Sequence, residues 1–450
     1  MESDRNRILT ESIKRLLRRK ADSHLRKIVN KTHAADLSHV FYYLSYQDQL
    51  KLFNLIEDVE KKGILFSELD ENIFPDLIEG IDLDEVVNIL EHMPNDDVTD
   101  LISSLPEETS DVILDKMRKE DSDEVEGLLR YGDDTAGGIM VPDFVALRED
   151  TTAREAIESF QKENLDVEMP FYLYVVDEYG RLVGVSSLRQ LVVVPPDIPL
   201  KDFMTTDIFT VKTDMDQEEV AKIVAHYDIL AVPVVDDANK LVGIVTVDDV
   251  IDIIRQEATE DILKMAGAGE EYVETKSVFK SIKIRMPWLF ACCIGGIISS
   301  FIISHFHASL SRMAYIAAFI PVINGMSGNV GIQSSTIVVR GLATGRLNIR
   351  DLWSVVLKEL SIGFMLGIVY GFFIALVAQL RYGRTALALS VALAVVCAMS
   401  LASLSGALMP MVFAKLNMDP AVSTGPFVTT AIDMASVFLY FNIAVTFLGI

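Results

Sequence analysis

The 450-residue sequence contains only three cysteines, and this scarcity excludes several classes of protein. Cys292, Cys293 and Cys397 all lie in apolar segments, where they offer neither a zinc-binding spacing nor a disulfide framework. No nucleophile–base set and no phosphate-binding loop is apparent, so the sequence does not predict an enzyme. The N-terminus is charged and lacks the apolar core of a signal peptide, so we expect no cleavable signal.

Charge is distributed very unevenly along the chain. Residues 1–276 contain 61 acidic and 29 basic residues, whereas residues 277–450 contain four acidic and eleven basic ones. An acidic surface attracts cations and repels nucleic acid, so we expect no nucleic-acid partner. A surface that merely keeps the protein soluble would have the same composition, and this alternative remains open.

Residues 1–130 are predicted to form an acidic domain of short helices. A repeat of about twelve residues begins at Leu83, as LDEVVNILEHMP, NDDVTDLISSLP and EETSDVILDKM. Pro94 and Pro106 separate the units, because proline ends one helix and the polar residue after it begins the next. The repeat predicts a small helical solenoid without a catalytic constellation.

Residues 131–264 contain an internal duplication. YVVDEYGRLVGVSSLRQL (174–191) matches PVVDDANKLVGIVTVDDV (233–250), and each copy predicts strand, turn, strand and helix. The pattern resembles a tandem pair of CBS domains, an α/β module that often binds adenine nucleotides. The resemblance implies a ribose-binding role for Asp249, whereas the first copy has Gln190 at that position. ATP is therefore a candidate ligand of the cleft, with Tyr172 stacking on the base and Arg189 reaching phosphate.

Acidic residues are dense in and around the helix that follows the second copy. Oxygen-rich clusters without sulfur suit hard divalent ions such as Mg²⁺. A solvated acidic face is the alternative. The predicted cytosolic metal-sensing residues are Asp216, Glu218, Asp228, Asp249, Asp252, Glu257, Glu260 and Asp261. A linker helix over residues 265–285 is predicted to join this sensor to the apolar half.

Five apolar segments follow, and each is long enough to cross a bilayer. They span about 286–305, 313–339, 352–380, 385–413 and 424–449, within a transmembrane domain of residues 286–450. Lysine and arginine favour the side that carries the acidic domains, which predicts a multi-pass protein of the inner (plasma) membrane with a cytosolic N-terminus.

The last apolar segment carries a carboxylate, Asp433, and the second is rich in glycine. An acidic residue at membrane depth usually faces a bundle interior or a water-filled path, although a structural ion pair is the alternative. The segment PVINGMSGNVGIQSS (321–335) predicts a broken helix that lines a wet cavity, with close helix packing as the alternative. In contrast, Gly363, Gly367 and Gly371 recur every fourth residue and predict plain helix packing.

The order of acidic helical domain, CBS pair, linker helix and five spans resembles the MgtE family of magnesium transporters over essentially the whole chain. The motifs GNVGIQSS, EATEDILKMAG and DPAVSTGPFVTTAIDM carry the resemblance. It implies a homodimer that conducts Mg²⁺, with the ion path at the dimer axis. The predicted path residues are Asp433, Asn329, Gly325, Gly328 and Thr429.

These observations favour a Mg²⁺ channel or transporter that imports Mg²⁺ and closes when cytosolic Mg²⁺ binds its acidic domains. Two alternatives remain open at this point. The first is a membrane-anchored CBS-domain sensor of nucleotides that transports nothing. The second is a broader divalent transporter that also carries Mn²⁺ or Co²⁺, because oxygen ligands serve several such ions.

Overall fold

The computed structural model of the chain describes residues 2–69, 73–163, 169, 171–268, 278–306 and 314–449. These residues divide into two units, Met1–Arg255 and Gln256–Ile450. The first unit contains short helices followed by an α/β region, and the second contains long apolar helices. This architecture confirms the predicted fold class.

The described part of residues 1–130 is entirely helical. Its helices are α1 (Glu2–Arg18), α2 (Asp22–Lys31), α3 (Ala34–Tyr42), α4 (Tyr46–Phe53), α5 (Val59–Ser67), α6 (Phe74–Ile78), α7 (Leu83–Leu90), α8 (Asn95–Ser103), α9 (Glu107–Lys116) and α10 (Lys119–Leu128). Pro94 and Pro106 are the N-cap residues of α8 and α9, as the repeat predicts. Phe53 and Phe66 stack with ring centroids 5.2 Å apart in an apolar core shared by these helices.

The duplicated region forms two similar three-stranded sheets. Its elements are β1 (Ala146–Arg148), α11 (Ala153–Glu163), β2 (Tyr172–Val176), β3 (Leu182–Ser187), α12 (Leu188–Val193), β4 (Val211–Lys212), α13 (Gln217–Tyr227), β5 (Ala231–Val235), β6 (Leu241–Thr246) and α14 (Val247–Met265). In each sheet the first strand pairs parallel with the second, and the second pairs antiparallel with the third. The repeat in sequence is therefore a repeat in structure.

The two copies exchange their leading segments. Val141, which precedes β1, forms backbone hydrogen bonds with Ile244 in β6 of the other copy. Thr205, which precedes β4, bonds in the same way to Val185 in β3. This exchange gives the edge strands β3 and β6 a further backbone partner and joins the copies into one module.

Five helices in the second unit are long and apolar enough to cross a membrane. They are α15 (Val278–His305), α16 (Ile320–Ala343), α17 (Leu352–Tyr382), α18 (Thr385–Lys415) and α19 (Pro426–Leu448). Short 3₁₀ turns precede α16, α17 and α19. The number and order of these helices match the predicted spans.

The predicted interruption of the second span is wrong, because α16 is one continuous α-helix from Ile320 to Ala343. Pro321 lies in its first turn, where a missing N–H breaks no hydrogen bond. Gly331 instead allows close packing: a Cβ there would lie 2.2 Å from the Ile432 side chain of α19. Packing therefore offsets the roughly 1 kcal/mol by which each glycine disfavours a helix.

The three glycines of α17 behave as their spacing predicts. A Cβ at Gly363 would lie 2.5 Å from the Ser403 side chain, and one at Gly367 would lie 2.8 Å from the Val396 backbone. Gly371 similarly approaches the Ala392 carbonyl. These contacts bring α17 and α18 together along one face.

The predicted linker helix is described only in part. Residues 278–285 are the first two turns of α15 and continue into the first span without a break. Residues 265–268 follow from α14, and residues 269–277 lie outside the described residues. The domain boundaries at 130, 264 and 285 remain predictions.

Candidate functional site

Asp433 lies in the middle of α19 and is half-buried in a single chain. A Cβ at Gly328 of α16 would lie 4.0 Å from its Oδ1, so the carboxyl faces the α16 backbone at a glycine. No lysine or arginine among the described residues forms an ion pair with Asp433. The structure therefore does not support the alternative of a structural ion pair within one chain.

One face of α16 beside Asp433 is polar and exposed. Gly325, Asn329 and Gln333 recur every fourth residue on it, and all three are exposed in the single chain. Amide side chains at membrane depth face protein or water rather than lipid. The structure thus brings Gly325, Gly328 and Asn329 onto the helix that lies against Asp433.

Small residues hold α19 against its neighbours around this position. Ser436 donates a hydrogen bond to the Ser327 hydroxyl of α16, at 3.0 Å. Gly295 of α15 meets the Thr430 side chain. Thr429, another predicted path residue, is half-buried and donates to the Gly425 carbonyl one turn earlier, at 3.0 Å. The Asp433 side chain therefore stands on a helix that is fixed on two sides.

The end of α14 contacts the loop that leads into α19, and both belong to the second unit. Lys264 forms ion pairs with Glu260 and, at 2.7 Å, with Asp419 of that loop. Burial opposes the charge of Lys264, but its bonds to Asp419 and Glu260 outweigh burial and raise its pKa. Sequence reasoning selected Glu260 but missed Lys264 and Asp419, because Asp419 lies far along the chain.

The same loop touches α14 through its backbone. Gly425 has φ +64°, and a Cβ there would lie 2.3 Å from the Met265 carbonyl oxygen. Only glycine combines this conformation with this approach at low cost. Because Gly425 is the N-cap of α19, the helix that carries Asp433 begins against the end of α14.

A second acidic site lies in the first unit, where α8 approaches the start of α14. Burial, followed by the charges of Asp97 and Asp249, raises the pKa of Asp96 to about 7. Burial and the charges of Asp249 and Asp100 raise the pKa of Asp97 to about 7 as well. Burial also raises the pKa of Asp249. Asp249 was predicted from the sequence as a sensing residue, whereas its partners on α8 were not.

This site has the chemistry of a cation site without a complete set of ligands. Asp96 Oδ1 is buried and has no hydrogen-bond partner. Across the described ranges, no three acidic, histidine or cysteine side chains are arranged to hold a metal ion. Mg²⁺ fits such a partial set, because it retains several waters and uses only one or two carboxylates.

The other predicted sensing residues are dispersed. Asp216 caps the start of α13 and Asp228 ends it, so about 16 Å of helix separates them. Glu218 pairs with Lys222 at 2.9 Å, and Asp252 pairs with Arg255 at 3.1 Å. Glu257 and Asp261 lie on the last turns of α14 near Glu260. These residues cannot all bind one ion.

The predicted nucleotide residues lie together at the junction of β2, β3 and α12. Tyr172 pairs with Ser187 across the two strands. Gln190 completes a capping box, since its Oε1 accepts from the Ser187 backbone N–H at 2.8 Å. Arg189 is exposed beside it. The capping role occupies the Gln190 oxygen and leaves its amide nitrogen for other partners.

Fold and site define a multi-pass membrane protein with an acidic helical region, a CBS pair and a carboxylate on its last membrane helix. Residues 320–443 match the family described as divalent cation transporter. Residues 32–134 match the MgtE intracellular N domain, and residues 136–197 and 200–256 match CBS domains.

Curated relatives agree with these matches. The chain is 40% identical over 325 residues to the magnesium transporter MgtE of Thermus thermophilus, covering 71% of this chain and 72% of the relative. It is 38% identical to that of Enterococcus faecalis over 72% of each chain. The chain belongs to the MgtE family, and this confirms the resemblance noted in the sequence. The family consists of transporters rather than enzymes.

One solved structure extends the comparison to the region outside the membrane. The cytosolic domain of the Mg²⁺ channel MgtE in complex with ATP is 34% identical to this chain, with a TM-score of 0.51. The match covers 54% of this chain and 99% of that one. It corresponds to the helical and CBS regions described above.

The raised pKa values of Asp96 and Asp97 predict pH-dependent binding of Mg²⁺. Both carboxyls must lose a proton before they bind a cation, so Mg²⁺ should bind more tightly as pH rises toward ~7, by up to tenfold per pH unit per proton released, and the gain should level off above that pH. Titration calorimetry of the full chain in buffers of different ionisation enthalpy would measure the released protons. Asp97→Asn should release fewer protons, whereas Asp123→Asn, on exposed α10, should match the wild type.

The raised pKa values of Asp96 and Asp97 also determine whether the stability of the metal-free protein rises or falls with pH. Because the folded pKa lies above the unfolded one, stability falls as pH rises from ~4 to ~7. Added Mg²⁺ should restore it at pH ~8, seen as a higher Tm. Without Mg²⁺, the Tm of the wild type should fall relative to that of Asp97→Asn over this pH range, and a constant difference between the two would contradict the assignment.

Proposed function

We propose that this protein is a Mg²⁺ channel of the inner (plasma) membrane that imports Mg²⁺ and is closed by cytosolic Mg²⁺. The observation that carries the proposal is Asp433, a carboxyl at membrane depth that has no cationic partner among the residues the structure describes and lies beside a polar face of α16. Relatives named magnesium transporters support Mg²⁺ as the ion carried.

The exposed polar face of α16 supports a homodimer. Asn329 and Gln333 would contact lipid in a single chain, which is unfavourable for amide groups. A second copy related by a two-fold axis would cover this face and place two Asp433 carboxylates opposite each other. Two negative charges balance one divalent ion and would hold a hydrated Mg²⁺ through its waters.

The charge of the apolar half supports a cytosolic N-terminus. Lys280, Lys283 and Arg285 precede the first span, and Arg340, Arg346 and Arg350 lie between the second and third. These groups lie on the side of the membrane from which the acidic region leads, as expected for the cytosolic face.

The contacts of α14 support a route from sensor to pore. Its start carries Asp249, next to Asp96 and Asp97, and its end carries Glu260, next to Asp419. Mg²⁺ binding at either end would fix the position of α14 and, through Met265 and Gly425, the start of α19. Mg²⁺ closes the pore only to the extent that it binds the closed form more tightly than the open form.

Lys264 would compete with Mg²⁺ for the carboxylates at the end of α14. Its ammonium lies between Glu260 and Asp419, where a divalent ion would also be stabilised. Mg²⁺ would displace this group, so binding would require a higher ion concentration than the two carboxylates alone would set.

ATP in the CBS cleft is a further part of the proposal. The related cytosolic domain was solved with ATP, and Tyr172, Arg189 and Gln190 lie together in this chain. Gln190 would donate to a ribose hydroxyl through its amide nitrogen, because its oxygen caps α12. The hydrogen bond lacks the charge assistance that a carboxylate would give.

Flux into liposomes tests the proposal directly. The full chain should admit Mg²⁺ to vesicles loaded with a Mg²⁺-sensitive dye when the free Mg²⁺ at the cytosolic domains is low, and the flux should fall when it is high. Mn²⁺ and Co²⁺ added as competitors measure selectivity. Vesicles that admit no divalent ion under either condition would overturn the proposal and favour a sensor without transport.

A further inference from the structure

A second carboxyl is buried in the apolar half, away from the Asp433 path. Glu359 lies on α17 and is only 5% exposed. No lysine or arginine of the described residues forms an ion pair with it, and its neighbour Lys358 is exposed. An isolated buried carboxylate is very unfavourable, so such a group either pairs with a cation or becomes neutral.

Glu359 and two buried serines form three hydrogen-bond contacts among themselves, two of which involve Glu359. Ser403 of α18 lies with its Oγ 2.7 Å from the Glu359 backbone oxygen. Ser334 of α16 lies with its Oγ 2.8 Å from the Ser403 Oγ and 2.8 Å from Glu359 Oε2. The three side chains thus join three membrane helices.

Glycines allow this close meeting of helices. A Cβ at Gly363 would lie 2.5 Å from the Ser403 side chain, and one at Gly406 would lie 2.3 Å from the Gly331 carbonyl oxygen. Ser334 and Ser403 are 3% and 0% exposed, so bulk solvent does not reach their hydroxyls. The hydrogens for these contacts are those of the three residues themselves.

The hydrogens can be counted. A backbone carbonyl only accepts, so the single hydroxyl hydrogen of Ser403 points to the Glu359 backbone oxygen. With an ionised carboxylate, Ser334 would have to donate to Glu359 Oε2, and the contact between the serines would then have no hydrogen of its own unless Ser334 shared its single hydrogen between two acceptors. A proton on Glu359 supplies the missing hydrogen, because Ser334 can then donate to Ser403 while it accepts from the carboxyl.

We infer that Glu359 carries a proton and donates it in a hydrogen bond to Ser334. As a neutral acid it completes a directed chain from Glu359 to Ser334, to Ser403 and back to the Glu359 backbone. Glu359 is thus a positioning residue that holds the buried face of α16, while Asn329 lies on the exposed face. Because Glu359 is neutral, Asp433 remains the negative charge available to a cation at membrane depth.

Infrared difference spectroscopy of the full chain in lipid nanodiscs tests the protonation directly. At mildly alkaline pH, where exposed carboxylates are ionised, wild type minus Glu359→Gln should show the carbonyl stretch of a carboxylic acid. The band should shift in deuterated water and should persist in Ser334→Ala at higher frequency, because its hydrogen bond is lost. Absence of the acid band, with a carboxylate band in its place, would overturn the inference and mean that Ser334 shares its hydrogen.

Substitutions give an independent test that does not depend on transport. Gln donates through Nε2 as the neutral acid does, so Glu359→Gln should keep Tm within about 2 °C of wild type. Glu359→Ala leaves Ser334 without this partner and should lower Tm by roughly 5 °C or more. Equal losses for both variants would contradict a neutral donor at this position.

Discussion

Replacing Asp433 with alanine should abolish Mg²⁺ flux through the reconstituted protein. In a homodimer the substitution removes two negative charges from the path at once. At an effective dielectric constant of 20, each carboxylate contributes about 4 kcal/mol per unit charge of a cation 4 Å away. Because each 1.4 kcal/mol is a factor of ten, we expect a loss on the order of 100-fold or more, measured as dye-reported uptake into liposomes.

Two further variants separate charge from shape at this position. Asp433→Asn keeps the size but removes the charge and should be nearly as inactive as alanine, whereas Asp433→Glu should retain measurable flux. Asp351→Ala is the matched control, because Asp351 is an exposed acid of the same half at the start of α17. Undiminished flux through Asp433→Ala would instead remove Asp433 from the ion path.

The parts of the fold that were predictable depend on local patterns. Gly363, Gly367 and Gly371 share one helix face because of their spacing alone, and any close partner helix would use that face. The prolines between α7, α8 and α9 act within their own turns. The duplication was readable because each copy repeats the same strands at the same spacing.

The helix α16 was wrongly predicted to be broken, because the contacts that favour a continuous helix come from residues far away in the sequence. Gly331 disfavours a helix by itself, but it allows α18 and α19 to approach through Gly406 and Ile432. Those residues lie more than seventy positions away in the sequence. Intrinsic propensity is a weak guide where tertiary packing of this kind decides the structure.

The same reason explains which site residues were missed. Asp97 meets Asp249, and Lys264 meets Asp419, across about 150 residues of chain. Glu359 has its serine partners on two other helices, and no spacing within α17 indicates them. Asp433 was found because an acid inside an apolar span is conspicuous without any knowledge of its neighbours.

The site at the end of α14 gives the second large effect. Replacing Glu257, Glu260 and Asp261 together with alanine should leave Mg²⁺ flowing at internal concentrations that close the wild type. The substitutions remove three negative charges from the helix end that contacts the start of α19. When flux is measured at increasing internal Mg²⁺, the triple variant should show little of the inhibition expected for the wild type. Glu158→Ala, which breaks an exposed Glu–Lys pair on α11, is the matched control and should be inhibited normally.

Single substitutions at Glu260 and Lys264 should shift this inhibition in opposite directions. Glu260→Ala removes a ligand, so more internal Mg²⁺ is needed to close the pore. Lys264→Ala removes the ammonium that occupies the space between Glu260 and Asp419, so closure should require less Mg²⁺. A merely structural ion pair would respond alike to the loss of either partner. Shifts of the same sign would therefore remove this contact from the sensor, even if the triple variant remained open.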